Sequence, residues 1–462
     1  MAAATPIPPP VSISDASQAL LEDLRSGKLV GTKKVKLSCG LTDFPSELFL
    51  LAESLEQLDL SGNALQELPA EFSRFTRIKV FFGSDNQFTI FPSVLAKCPL
   101  LSMVGFKANR ISTLSEDSFP PALRWLILTN NTLEILPRSI GDLPLLEKLM
   151  LAGNRLDALP LELERCSSLR LLRISANRFA TFPETVFRLP SLAWLAIAGN
   201  PFVGIATQSS GLRQYSWNDL KVEGQLGEGA SGVIYKVSAG SVGGYEEPLA
   251  LKVFKGEVTS DGFALDEMKA WLSVSGHPSL VKVRGSLCGH PEGKQGLLFA
   301  VLPESFRRLG DPPSFESCTR DVYPTPLRLK SSQALNFARG IASAMAHLHQ
   351  HQVMHGDLYA HNIMVQGNGE ALLGDFGAAV SYRHLGESSG AQLERIEVAA
   401  FGFLLQELAE QLDNQASGDF LEARALLLRV ASDCLNPQRQ LRPGFGELAI
   451  HLAVIAHSRG GL

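Results

Sequence analysis

Three glycines, one lysine, two aspartates and an asparagine carry the chemistry this sequence could perform. Gly227, Gly229 and Gly232 stand in LGEGASG, and Lys252 follows in LALK. Asp357 and Asn362 share the stretch VMHGDLYAHNIMV, and Asp375 lies in LLGDFGAAV. A glycine-rich turn lets backbone amides approach phosphate oxygens, and a lysine adds positive charge beside them. Aspartate and asparagine are hard oxygen donors of the kind Mg²⁺ takes. A carboxylate placed next to a hydroxyl nucleophile can accept its proton. These residue types fit the movement of phosphate from a triphosphate to an alcohol.

The elements that must position them can be read locally. A lone G-x-G-x-x-G is ambiguous, because dinucleotide-binding folds share it and want a helix after the glycines. Here Val233, Ile234 and Tyr235 favour a strand, so a hairpin over the phosphates fits better. LALK reads as a strand, and FALDEMKAWLSVS as a helix whose Glu267 could pair with Lys252, with Asp266 the less suitable neighbour.

In that order, the glycine loop, lysine, glutamate, D-x-x-x-x-N and D-F-G resemble the eukaryotic-type protein kinase family over residues 218–457. GHPSLVKVRG and CLNPQRQLRPGFGEL also match. The resemblance implies a two-lobed α+β domain with ATP in its cleft and Mg²⁺ as cofactor. Leu226, Gly227, Glu228, Gly229, Ala230, Ser231, Gly232, Val233 and Ile234 would cover the nucleotide, and Ala250 with residues 300–303, Leu302 among them, would line the adenine pocket. Lys252, held by Glu267, would contact phosphate. Asp357 would take the acceptor proton, and Asn362 and Asp375 would hold Mg²⁺.

The departures from that family are informative. Gly356 stands in His355-Gly356-Asp357 where His-Arg-Asp is usual, which predicts no switch through a phosphorylated activation loop. Tyr359 replaces the lysine that serine/threonine kinases use, and His361 the arginine of tyrosine kinases, so the acceptor type stays open. Only 22 residues separate Asp375 from Glu397, which stands where an aspartate is usual. No A-P-E lies between them, leaving Arg442 without its usual partner. His-Gly-Asp-Leu also resembles aminoglycoside-type small-molecule phosphotransferases. The expected activity is a protein kinase, with serine or threonine as acceptor and autophosphorylation included. The alternatives are a pseudokinase scaffold and a small-molecule phosphotransferase. Histidines 347, 349, 351, 355 and 361 are spaced so that they splay around a helix, which argues against zinc.

The first half is periodic. Asn63, Asn86, Asn109, Asn131, Asn154, Asn177 and Asn200 recur every 22 or 23 residues, in a frame of the pattern L-x-x-L-x-L-x-x-N-x-L whose leucine places some units fill with other residues. Gly40, one period earlier, marks a capping unit. The pattern resembles leucine-rich repeats over residues 30–205, an α/β solenoid whose units bury a shared core only by stacking. Between its leucines, the concave face should present Val80, Phe82, Met103, Trp125, Ile127, Met150, Leu171 and Trp194. Exposed apolar surface of that extent predicts a protein partner or substrate, or an internal contact. Arg173 falls in the same positional series.

Composition sets the outer bounds. The 462 residues exceed one ordinary domain. A net charge of −5 argues against a general nucleic-acid binder. No apolar run reaches the ~18 residues of a membrane helix, and MAAATPIPPPVS lacks the marks of a signal peptide. Six scattered cysteines suggest reduced thiols and a cytoplasmic protein. The expected organisation is a disordered N-terminus with a short helix (1–29), repeats (30–205), a linker (206–217) and the kinase-like domain (218–457).

Overall fold

The computed structural model describes residues 15–203, 212–229, 231–239, 248–255, 259, 261–274, 276–413 and 419–459. The proline-rich start, Ala230 and residues 206–211 of the expected linker lie outside the described residues. The chain forms two compact units, 1–150 with 154–167, and 151–153 with 168–462.

The first unit opens with helix α1 (Asp15–Arg25). Six three-residue strands follow: β1 (Lys34–Lys36), β2 (Gln57–Asp59), β3 (Val80–Phe82), β4 (Met103–Gly105), β5 (Trp125–Ile127) and β6 (Lys148–Met150), paired in parallel. Alternation sends the middle residue of each strand inward, and Leu58, Phe81, Val104, Leu126 and Leu149 are wholly buried. Prolines 45, 69, 92, 137 and 160 each precede a short 3₁₀ turn on the return path. A residue locked near φ −65° with no N–H suits the entry to such a turn.

The recurring asparagine closes each repeat on its neighbour. Asn109 donates from Nδ2 to Gly83 O at 2.9 Å and Phe106 O at 3.2 Å, while its Oδ1 accepts from Phe88 N at 3.0 Å. These backbone groups are buried, so the amide satisfies donors and acceptors that water cannot reach. Asn109→Ala should therefore destabilise the repeats by about 1–3 kcal/mol, seen as an earlier urea midpoint. An unchanged midpoint would show that the ladder does not bear on stability. Cys98 and Cys166, at matching places in their repeats, are buried free thiols that burial pushes up to about 11.

The second unit begins with the parallel pair β7 (Leu171–Arg173) and β8 (Trp194–Ala196). Then come β9 (Arg213–Ser216), β10 (Leu220–Glu228), β11 (Gly232–Ala239), β12 (Pro248–Phe254), helix α2 (Ala264–Val274), β13 (Val283–Cys288) and β14 (Gly296–Ala300). These strands form one sheet in the order β10-β11-β12-β14-β13-β9. Its core is Val237, Leu249, Leu251, Val253, Leu287 and Leu298, against which Tyr215 and Trp217 pack. That packing gives β9, which falls within the expected linker, a reason to add to the edge.

The helical lobe holds β15 (Arg307–Arg308), α3 (Ser331–Gln350), β16 (Val353–Met354), β17 (Ile363–Val365), β18 (Ala371–Leu373), β19 (Val380–Ser381), α4 (Gly386–Glu410), α5 (Phe420–Cys434) and α6 (Phe445–Arg459). Helix α3 buries Leu335, Ala338, Ile341, Ala342, Met345 and Leu348, a spacing of three and four that lays one stripe against the core. Among the described residues no helix is long and apolar enough to cross a membrane.

Candidate active site

The glycine loop joins β10 to β11 as a hairpin, with Gly227 paired to Ile234 and Glu228 to Val233. A Cβ on Gly227 or Gly229 would meet none of the described residues within 4 Å, which is room a ligand could use. Gly232 is different: a Cβ would stand 2.7 Å from Val253 O, so the strand accepts only glycine there. Leu226 is exposed at the loop's entrance. Ala250 pairs with Phe299 across β12 and β14, and Leu302 follows on the chain leaving that strand.

Lys252 on β12 reaches α2, where its Nζ lies 2.5 Å from Glu267 Oε1; Asp266 is not its partner. Glu267 is buried, which raises its pKa despite the lysine charge. One turn further, Trp271 stacks on Phe376 at 3.8 Å between ring centroids. Phe376 meets His355 edge-on at 5.0 Å, and Trp271 meets Phe299 at 5.3 Å. This row of rings ties α2 to the loop that carries Asp375. Asp375 sits at φ +47°, its Oδ1 accepting from Gly377 N at 3.2 Å.

Asp357 and Asn362 come together in the loop after β16. Asn362 Nδ2 donates to Asp357 O at 2.9 Å and to Asp357 Oδ2 at 3.0 Å. The loop hangs from Glu397 on α4, whose Oε1 accepts from His355 N at 2.8 Å and Gly356 N at 2.7 Å. Its other oxygen lies 2.8 Å from His349 Nε2. His355 Nδ1 accepts from Asp357 N and its Nε2 bonds Gly374 O, which places the ring proton on Nε2. The remaining histidines are also engaged: His347 with Val274 O, His351 with His347 O and His361 with Asp321.

Two hard oxygen donors, the Asp375 carboxylate and the Asn362 amide oxygen, are what the site offers a cation. The amide nitrogen is spent on Asp357, which leaves the oxygen for a metal. So sparse a donor set fits Mg²⁺, which keeps waters and phosphate oxygens in its shell rather than entering an all-protein cage.

Residues 220–394 match the family described as protein kinase domain, and residues 54–75 and 99–156 match two leucine-rich repeat families. This is a leucine-rich repeat protein with a protein kinase domain. Among curated proteins, PH domain leucine-rich repeat-containing protein phosphatase 1 of Homo sapiens is 30% identical over 154 residues, covering 30% of this chain and 9% of that protein. Its Mus musculus counterpart is 31% identical over 138 residues, covering 27% and 8%. The chain thus spans less than a tenth of these relatives' length. A solved leucine-rich repeat protein of Leptospira interrogans is 27% identical, covering 39% of this chain and 52% of its own, with a TM-score of 0.33.

The structure corrects one expectation about the concave face. Trp194 is not an open docking residue: it is buried, its ring stacks on Tyr359 at 4.3 Å, and its Nε1 donates to Leu358 O at 2.9 Å. Leu171 is buried as well. In the first unit Val80 and Met103 are buried, whereas Phe82, Trp125, Ile127 and Met150 are half-exposed. Trp125 carries Lys148 Nζ over its ring at 4.1 Å.

Three residues of the kinase-domain site escaped the sequence. Arg173, from a repeat strand, donates from Nη1 to Gly356 O at 3.2 Å and from Nη2 to Asp357 Oδ1. Burial would raise the Asp357 carboxyl, but the charges of Arg173, His361 and His355 together with the Arg173 hydrogen bond outweigh it and hold the group below its usual range. Asp261, just before α2, lies 3.1 Å from Arg173 Nε. Asp321 takes His361 on both its backbone N and its Nδ1 at 2.8 Å, so the segment after β14 folds onto the loop of Asp357. Arg442, left unpartnered by the sequence, donates to the carbonyls of Asn436, Arg395 and Pro190. The only signal for Arg173 was a guanidinium among apolar residues at a concave position.

Proposed function

We propose that the chain is an ATP- and Mg²⁺-dependent protein kinase that transfers the γ-phosphate to serine or threonine hydroxyls of a protein acceptor. The observation that carries this reading is the formation, in one unit, of both the Lys252–Glu267 pair and the Asp357–Asn362 pair. Gly227, Gly229, Ser231 and Gly232 cover the phosphates from above. Leu226, Val233, Ala250 and Leu302 enclose the adenine, and Lys252 neutralises phosphate oxygens while Glu267 holds it in place. Asp375 and Asn362 hold Mg²⁺, which when bound offsets the charge of the transferring group. Asp357 accepts the acceptor's proton as its oxygen bonds to the γ-phosphorus and the bond to ADP breaks.

The half-exposed apolar residues Phe82, Trp125, Ile127 and Met150, with Val80 and Met103 behind them, recruit a protein partner or substrate. The free cysteines suit a reducing compartment such as the cytoplasm. A second reading, transfer to a small-molecule alcohol, draws on one feature. Helix α4 begins at Gly386, so the stretch after Asp375 has no room for the long shelf that seats peptides.

The test is labelled ATP with Mg²⁺, offered with generic protein acceptors and, separately, with aminoglycosides, the product mapped by mass spectrometry. Label on serine or threonine supports the proposal. Label on the aminoglycoside alone would replace it with the second reading. ATP binding without transfer to any acceptor, in both the native chain and Arg173→Gln, would leave a scaffold.

A further inference from the structure

Arg173 puts a repeat side chain on the carboxylate that the kinase reading uses as base. We propose that repeat strands β7 and β8 form an intramolecular latch that blocks the acceptor side of the active site, with Arg173 occupying the place of the acceptor hydroxyl. The inference rests on the kinase reading and adds a regulator to it.

Both oxygens of Asp357 are taken. Oδ1 accepts from Arg173 Nη2 and Oδ2 from Asn362 Nδ2, so a substrate hydroxyl would have to compete with the guanidinium for Oδ1. The block extends along the loop. Trp194 lies flat on Tyr359, its planes within 5°, and stacks on Phe403 at 5.4 Å. Gly356 has φ +76°, and a Cβ there would stand 2.6 Å from Leu195 O on β8. The usual arginine cannot coexist with the seated strand, so the guanidinium near Asp357 comes from the repeats instead.

The nucleotide side is held ready by the same strands. Ser175 Oγ donates to Asp261 O at 2.7 Å, and a Cβ on Gly262 would meet Ala198 Cβ at 2.8 Å. These contacts seat the start of α2, which carries Glu267 toward Lys252. The latched chain is therefore ready to bind ATP and unable to pass phosphate on. The closed state also carries a cost that favours release: Tyr359 Oη is buried without a hydrogen-bond partner among the described residues. Freed from Trp194, that hydroxyl would reach water.

Arg173→Gln removes the charge on Asp357 while the Ser175 and Ala198 contacts to the α2 loop remain. Phosphoryl transfer by the full chain should rise by about ten- to a hundredfold, the value of a charge-assisted hydrogen bond, with the KM for ATP unchanged. Arg173→Lys should keep most of the restraint. Circular dichroism and thermal melting confirm that each variant folds; if Arg173→Gln does not, Trp194→Ala, which removes the stack on Tyr359, should show the same rise. Transfer that stays equal or falls in a folded variant would overturn the latch while a working native enzyme keeps the kinase reading. No transfer from either chain, with ATP still bound, would overturn both.

Discussion

Asp357→Asn is expected to lower phosphoryl transfer by about 10²–10⁴-fold while ATP binding stays within about twofold, the range a positioned proton acceptor supplies. The comparison is cleanest in the Arg173→Gln chain, where the carboxylate is uncovered. Asparagine keeps the size of the side chain and can still meet Asn362, so the loop retains its shape. It cannot take a proton from the acceptor hydroxyl. Asp357 itself lies outside the Lys252–Glu267 pair, which is why nucleotide affinity should be nearly indifferent to the change. Radiolabel transfer and nucleotide titration on the same preparations check both halves of the expectation. Retained transfer would remove Asp357 from the proposed mechanism, and lost binding would show that its charge shapes the nucleotide pocket.

Glu397→Ala should be the most damaging single change to stability, costing about 3–5 kcal/mol. Its carboxylate is almost wholly buried and accepts from two backbone N–H groups of the loop, with His349 on its other oxygen. Alanine leaves those donors inside the protein with no water to replace the carboxylate. Glu397→Gln keeps one acceptor oxygen and should lose less. Asp, the residue usual at this place in the family, is one methylene too short to serve both the loop and His349. Thermal melts and urea titrations of the three variants, read beside native protein, decide the order. A loss under about 1 kcal/mol for alanine would mean that the loop backbone is held by other means.

What could be read from the residues follows a physical divide. Leu58, Phe81 and Leu126 recur because each repeat must bury the same position, and Asn109 recurs because each turn leaves the same backbone groups unpaired. Lys252, Glu267, Asp357 and Asn362 are legible because phosphate, Mg²⁺ and a hydroxyl each demand a particular side chain at a fixed remove. Arg173 obeys neither constraint. Its partner Asp357 is 184 positions away, and no local pattern encodes which distant carboxylate a guanidinium will find. Trp194 is ambiguous for the same cause: an apolar ring on a concave face looks alike whether a partner or Tyr359 covers it. Asp321 lay in a stretch dense with turn formers, PESFRRLGDPPSFESCTRDVYP, where neither helix nor strand periodicity exists to orient a side chain. Glu397 is the intermediate case, visible as a departure from aspartate but intelligible only once His349 stands beside it.

The way the last two repeats join the catalytic loop decides where the chain can be divided. From the repeat pattern alone, the stretch after Asn200 looks like the natural place to divide the chain. A cut there would strip Trp194 from Tyr359 and Phe403, leaving two apolar rings bare, and would part Asp261 and Asp357 from their shared cation. The repeats holding Arg173 and Trp194 therefore have to travel with the kinase domain. A kinase-domain fragment that keeps these contacts has to begin before β7.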